Sequence, residues 1–241
     1  MKAILISGSE IVKFGEDSQA KDFVNDRTIF ELFLRKRVGL EKRNVFRFDF
    51  EKIRKFKISG LIKRIKKVVG ADPEEPLIIY YSGHGREKFW SLLEKNEKPV
   101  KKFAFYNRSL MHALKKQLGP LIVIADSCYA MSLKRHLEKI DRPWLLLGLA
   151  PENLQGMGGG LLTNEVLKAW QNRKNVYPKF EKSSGKRVGS VIKKSYNKKF
   201  YGFKPDGKGG LRKFYFMRLR TKVKIVLRAG SDLDHLMFPK K

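Results

Sequence analysis

The 241-residue sequence predicts an α/β fold on a mostly parallel sheet with helices on both faces, and three observations carry that reading. Runs such as Leu77, Ile78, Ile79, Tyr80 and Tyr81, or Leu121, Ile122, Val123, Ile124 and Ala125, have the unbroken apolar character of strands buried on both sides. A helical, Lys-rich segment precedes each run, which gives the βα alternation of parallel sheets. Gly70 and Gly119 stand where helices should end, and Pro76 and Pro120 then force the chain into strands.

Taken in order, the pattern predicts a strand over 2–7, a polar loop, a helix over 26–38, a strand over 45–48 and a helix over 58–69. The helices rest on apolar stripes: Ile29, Leu32 and Phe33 in the first, and Ile62, Ile65, Val68 and Val69 in the second. The strand leading to His84 follows, then a long polar connection, a helix over 110–118 and the strand leading to Cys128. A helix over 131–140, a strand over 144–149 and a helix over 161–170 continue the alternation. Residues 172–210, rich in Lys, Gly, Ser and Asn with few apolar anchors, read as an excursion from the core. Val223, Ile225 and Leu227 then alternate with Lys222, Lys224 and Arg228, which predicts a last strand with one basic, solvent-facing side.

Length allows one sizeable core, so a single domain is expected over 1–241: core 1–170, basic excursion 171–210 and terminal-strand region 211–230. No run of about 20 apolar residues exists, so no membrane partner is expected. The opening MKAILISGSE is too short an apolar run for a secretory signal and turns acidic at once, which suits a first strand. A single cysteine cannot form an intramolecular disulfide, and a cytoplasmic location follows as the expectation. The net charge is +29, and residues 151–241 carry 22 Lys/Arg against 6 Asp/Glu. Such an excess attracts polyanions at low salt. Tyr196, Phe200, Tyr201 and Phe203 are interleaved with Lys193, Lys194, Lys198 and Lys199, a composition suited to base stacking with phosphate contacts.

Two short strings carry the chemistry. YYSGHG sets His84 between glycines after one apolar run, and IADSCYA sets the lone Cys128 after another. Ligands of open α/β sheets bind at the carboxyl ends of such strands, so neighbouring strands would present both side chains together. Amide hydrolysis needs a nucleophile, a proton shuttle and donors for the oxyanion, and a thiol with an imidazole supplies the first two. His112, His136 and His235 lie away from any strand end beside a glycine and read as surface or capping residues.

On these motifs the chain resembles the caspase-fold cysteine peptidases, and the metacaspase branch more than the animal caspases. YYSGHG is nearly the metacaspase histidine motif, and DSCYA resembles that branch's DxC signature, with Asp126 two residues before Cys128. MKAILISG resembles the first strand, VNDRTIFELFL the segment in which an Asn-Asp pair opens the first helix, and LLLGLAPEN with GGGLLTNEVLKAW the fifth strand and its following helix. The resemblance covers about residues 1–170 and implies a caspase-like three-layer sandwich around a mostly parallel six-stranded sheet. It also implies a cysteine endopeptidase in which His84 and Cys128 are catalytic and the NH groups of Gly85 and Cys128 form the oxyanion hole.

In that branch the pocket for the residue before the scissile bond is acidic and takes Arg or Lys. The resemblance assigns Asp26, Ser82 and Asp126 to it, with Glu152 as a further acidic wall. Many metacaspases also carry an Asp-rich calcium cluster after the histidine. Here REKFWSLLEKNEKPVKKF offers only scattered Glu among Lys, and MSLKRH follows the cysteine, so no metal or cofactor is expected. The short connection LKRHLEKIDRP suggests a single-chain enzyme. The expected partner is a peptide or protein with Arg or Lys before the cleaved bond. The competing reading is a weak or inactive caspase-like scaffold that binds nucleic acid or an acidic protein through its basic carboxyl-terminal third, with Lys193, Lys194, Lys198 and Lys199 as contacts.

Overall fold

Six strands build the central sheet: β1 (Lys2–Ser7), β2 (Val45–Phe48), β3 (Leu77–Ser82), β4 (Leu121–Asp126), β5 (Trp144–Gly148) and β6 (Lys224–Leu227). The computed structural model describes residues 1–12, 15–16, 18–96, 98–148, 201–205, 211–215 and 224–227. The strand order is β6-β5-β4-β3-β1-β2. All pairings are parallel except that of β6 on β5. Every residue of β1, β3, β4 and β5 is buried, which is why these strands run apolar between their ends instead of alternating, with polar Lys2, Ser7, Ser82 and Asp126 only at the ends.

Successive side chains on a strand point to opposite faces, and the two tyrosines of β3 divide the layers. Tyr81 belongs to the face that packs with Ile4, Ile6, Ile79, Val123 and Leu146 under helices α2 (Phe50–Ala71), α3 (Asn107–Ala113) and α4 (Lys134–Leu137). Tyr80 points the other way, where Phe30 of α1 (Ser18–Phe33) stacks on it at 4.4 Å and 13°. The protein is thus a mixed α/β fold with a mostly parallel sheet flanked by helices, as its sequence predicts.

Helix α1 departs from the expected bounds and face. It starts at Ser18 instead of 26, so Asp26 sits within the helix and does not open it. Phe23, Asp26, Arg27, Phe30 and Phe33 are buried, whereas Ile29 and Leu32 of the expected stripe are 45% and 44% exposed. The cause is polar: Asp26 accepts a hydrogen bond from Ser82, and Arg27 pairs with Asp49 at 3.3 Å, so the helix turns two charged residues inward. The chain then winds through a π turn, Leu34–Val38, and leaves it at Gly39, whose φ of 80° favours glycine.

Other boundaries shift for local reasons. Helix α2 begins at Phe50, where the Asp49 carboxylate accepts the Lys52 NH at 3.0 Å, and breaks at Lys57 before the expected segment. Gly70 lies inside its last turn, which ends at Ala71. Helix α3 is Asn107–Ala113 instead of 110–118. The helix expected over 131–140 is a 3-10 turn, Ala130–Leu133, all four residues buried, followed by the single turn α4. The polar connection after His84 is not a loop. It folds into short strands, His84–Arg86, Phe89–Ser91, Leu93–Lys95, Lys98–Pro99 and Ala104–Tyr106. Buried Trp90, Leu92, Leu93 and Phe105 hold this subdomain to the core.

At the end of the expected excursion, Tyr201–Pro205 pairs antiparallel with Leu211–Tyr215. The helix expected over 161–170 lies outside the described residues, as does 171–200. No helix among the described residues is long and apolar enough to cross a membrane.

Candidate active site

Strand register assembles the site. Ser7 of β1 is level with Ser82 of β3, and Ser82 is level with Asp126 of β4. The ladder runs one residue further, with Gly8 NH donating to the Ser82 carbonyl at 2.9 Å and Gly83 NH to that of Asp126 at 3.3 Å. His84 and Cys128 therefore each stand two residues beyond a paired position on adjacent strands. Both side chains are partly exposed, unlike the sealed strands that deliver them.

The two arms leave the sheet by different turns. After β3, Gly83 adopts φ +155° over the Tyr81 ring, and His84 opens an antiparallel hairpin in which it faces Ser91. After β4 the chain reverses on Tyr129, a non-glycine residue in the left-handed region (φ 53°, ψ 24°) that leads into the 3-10 turn. Such backbone costs of order 1–3 kcal/mol and persists only where its surroundings enforce it. The arms touch at Gly85, where any side chain would run into the Cys128 carbonyl. Glycine is required there by the approach of the two backbones, a constraint the sequence could only suggest.

Several groups fix His84. The Tyr81 hydroxyl lies 2.7 Å from the His84 carbonyl and 3.0 Å from that of Ser91, so its proton holds both sides of the hairpin. Burial first, then the negative charges of Glu94 and Cys128, push the Tyr81 phenol well above its ordinary range, so it remains a donor. Its ring stacks on Trp90 at 4.4 Å and 11°. Phe23 of α1 meets the imidazole edge-on, with ring centroids 5.2 Å apart. Glu94 places a carboxylate oxygen 3.9 Å from His84 Nδ1.

On the cysteine arm, Asn107 donates to Ser132 Oγ at 3.1 Å and to the Glu87 carbonyl at 3.4 Å. One buried amide thereby links the turn after Cys128 to the histidine hairpin.

Three of the four predicted pocket residues converge. Ser82 Oγ donates to Asp26 Oδ2 at 3.2 Å, and Asp126 is the register neighbour of Ser82. Asp26, Ser82 and Asp126 are 7%, 1% and 3% exposed. Asp26 on α1 and Asp126 on β4 thus lie beside Ser82, close to where β3 and β4 lead on to His84 and Cys128, and bring two carboxylates into one nearly sealed acidic cluster. Glu152, His235, Lys193, Lys194, Lys198 and Lys199 lie outside the described residues. His112 is exposed on α3, with Nε2 2.7 Å from Lys66 Nζ. Partial burial, then the charges of Arg135 and Lys139, hold His136 below the ordinary histidine range. Among the described residues no group of three or more His, Cys, Asp or Glu is placed to hold a metal ion.

Sequence reasoning missed Glu94, Asn107, Phe23 and the Tyr81 hydroxyl. Glu94 sits in LLEKNEK and has the look of a solvated acid; only the buried pair Leu92 and Leu93 beside it hinted at enclosure.

No family model matches the chain, and no curated protein matches it in sequence. Among solved structures it is similar to a secreted C11 cysteine protease from Bacteroides thetaiotaomicron, determined in complex with an irreversible peptide inhibitor. The two are 10% identical with a TM-score of 0.46, over 82% of this chain and 60% of that one. This chain therefore spans less than two thirds of that protein's length. The likeness is too loose to carry residues from one chain to the other.

Proposed function

We propose that the protein is a cysteine endopeptidase, in the manner of the metacaspase branch, that hydrolyses peptide bonds after Arg or Lys. The observation that supports this best is the contact of Gly85 with Cys128 between two arms leaving adjacent, register-matched strands. In this reading His84 takes the proton of the Cys128 thiol, and the thiolate attacks the scissile carbonyl. The NH groups of Gly85 and Cys128 receive the oxyanion of the tetrahedral intermediate. As the C–N bond breaks, His84 returns the proton to the departing amine. Water, deprotonated by His84, then attacks the thioester and releases the acid and the thiol.

The acidic cluster supplies specificity. Asp26 and Asp126 would pair with the cationic side chain before the scissile bond, while an acidic one would meet like charge and lose its hydration unpaired.

The direct test is a peptide electrophile carrying Arg next to its reactive carbon, with Asp and Leu versions as controls. It should label Cys128, located by mass spectrometry of the digested adduct, and the Asp version should not. Labelling by the Asp or Leu versions at the same rate would overturn the specificity. No labelling of Cys128 by any of them, at concentrations that label an active thiol peptidase, would overturn the peptidase reading.

A further inference from the structure

His84 and Arg86 flank Gly85 on one short strand, and by the alternation of a strand their side chains share a face. Glu94, two strands along the same chain, meets both. One of its carboxylate oxygens is 3.9 Å from His84 Nδ1, and the other is 2.8 Å from an Arg86 guanidinium nitrogen. The Glu94 side chain is 2% exposed, against 21% for His84 and 29% for Arg86. A carboxylate is costly to bury and is held inside only where cations or donors meet it. The strand Leu93–Lys95 that carries it is anchored on its far side by parallel pairing with Ser9–Val12.

We propose that Glu94 is the positioning residue of His84: its carboxylate turns imidazole Nδ1 inward, leaving Nε2 for the Cys128 thiol, while Arg86 holds that carboxylate in place. This rests on the peptidase reading above.

The charges fit such a role. A guanidinium and a carboxylate together carry no net charge, so the Arg86–Glu94 pair is neutral at rest. When the Cys128 proton moves to His84 Nε2, the ring becomes a cation whose Nδ1–H faces the nearer oxygen of the Glu94 carboxylate. The thiolate and the imidazolium then form together, with Glu94 stabilising the second. At 3.9 Å the contact is electrostatic and longer than a hydrogen bond, and such contacts commonly tighten when substrate binds. Neither Phe23 nor Tyr81 chooses a tautomer. Phe23 meets the ring only as an aromatic edge, and Tyr81 holds the backbone carbonyl of His84, not its side chain.

The competing role is structural, with the Glu94–Arg86 pair merely closing the hairpin. Two measurements on the full chain separate them. In the wild type, 15N imidazole spectra of the neutral His84 ring should show a proton on Nδ1 and a bare Nε2; a ring protonated on Nε2 would overturn the proposal. In Glu94→Gln, kcat on an Arg peptide should fall about tenfold to a hundredfold with KM within about twofold, as removing an orienting partner of a histidine commonly does, and Glu94→Asp should recover part of it. Unchanged kcat with a lowered melting temperature would mean a structural pair and end the proposal. Should Glu94→Gln fail to fold, the wild-type spectrum decides alone. A failed peptidase reading would look different: the wild type itself would not cleave, while the tautomer would still report whether Glu94 orients the ring.

Discussion

The two arms of the site are fixed by different means, although they leave neighbouring strands at the same level of the sheet. The histidine arm is held by side chains from three places: the Tyr81 hydroxyl on its backbone, the Phe23 ring against the imidazole, and Glu94 opposite Nδ1. The cysteine arm is held chiefly by its backbone, through left-handed Tyr129, a buried 3-10 turn and the Cys128 carbonyl pressed on Gly85, with the Asn107 amide on Ser132 as a side-chain tie. In the proposed reading the nucleophile must sit at one point in space, which a strained turn enforces. A proton shuttle must also have its ring turned correctly, and only side-chain partners can set a ring. The arms should therefore respond differently to substitution.

The largest effect tests whether both arms belong to one machine. Cys128→Ala and His84→Ala should each lower kcat by several orders of magnitude, and the double variant should be little worse than either, since parts of one catalytic unit are not additive. Turnover numbers for the three proteins check this. Activity of either single variant within about tenfold of wild type would separate the arms.

Gly85→Ala asks how far the contact between the arms matters. The added methyl would meet the Cys128 carbonyl, so one backbone must move. A displacement of about 1 Å at reacting groups can cost on the order of a hundredfold. Loss of that size with a folded far-ultraviolet spectrum is the expected result, and near-normal kcat would show the arms to be more loosely joined than the geometry implies.

The acidic pocket of the proposed function should act on substrate choice and leave the arms alone. Asp126→Asn is expected to lower kcat/KM for Arg peptides by about tenfold to a hundredfold, the worth of one charge-assisted hydrogen bond to a charged group. Reactivity of Cys128 toward a small uncharged alkylating agent should stay near wild type. Peptide-library profiles and alkylation rates measure the two parts, and equal loss in both would place Asp126 with the arms.

The smallest change, Tyr81→Phe, tests the graded nature of the histidine arm. It removes one proton that serves two carbonyls and keeps the ring on Trp90. Stability should drop by about 1–3 kcal/mol, the cost of leaving buried acceptors unsatisfied, while kcat falls only a few-fold. Denaturant midpoints and steady-state rates measure both. A collapse of activity as deep as that of Gly85→Ala would erase the distinction between side-chain and backbone control.

Much of the frame was legible because burial on both faces writes itself into a strand as an unbroken apolar run. β1, β3, β4 and β5 follow that rule, and the ends of β3 and β4 lead directly to His84 and Cys128. Helix α1 shows where the rule stops. Its apolar spacing favoured Ile29 and Leu32, yet the buried face carries Asp26 and Arg27, because Ser82 and Asp49 wait for them across the core.

What the sequence determined by itself is the set of elements whose stabilisation comes from hydrophobic burial, together with the placement of His84 and Cys128 just beyond two of their ends. The tertiary structure alone decided which charged residues are interior. A carboxylate such as Glu94 is indistinguishable from its solvated neighbours along the chain, and its burial becomes affordable only when Arg86 and His84, eight and ten residues away, close on it. Hydrophobic transfer is a property of the residue, whereas charge burial is a property of the partners, and partners are fixed only by the fold.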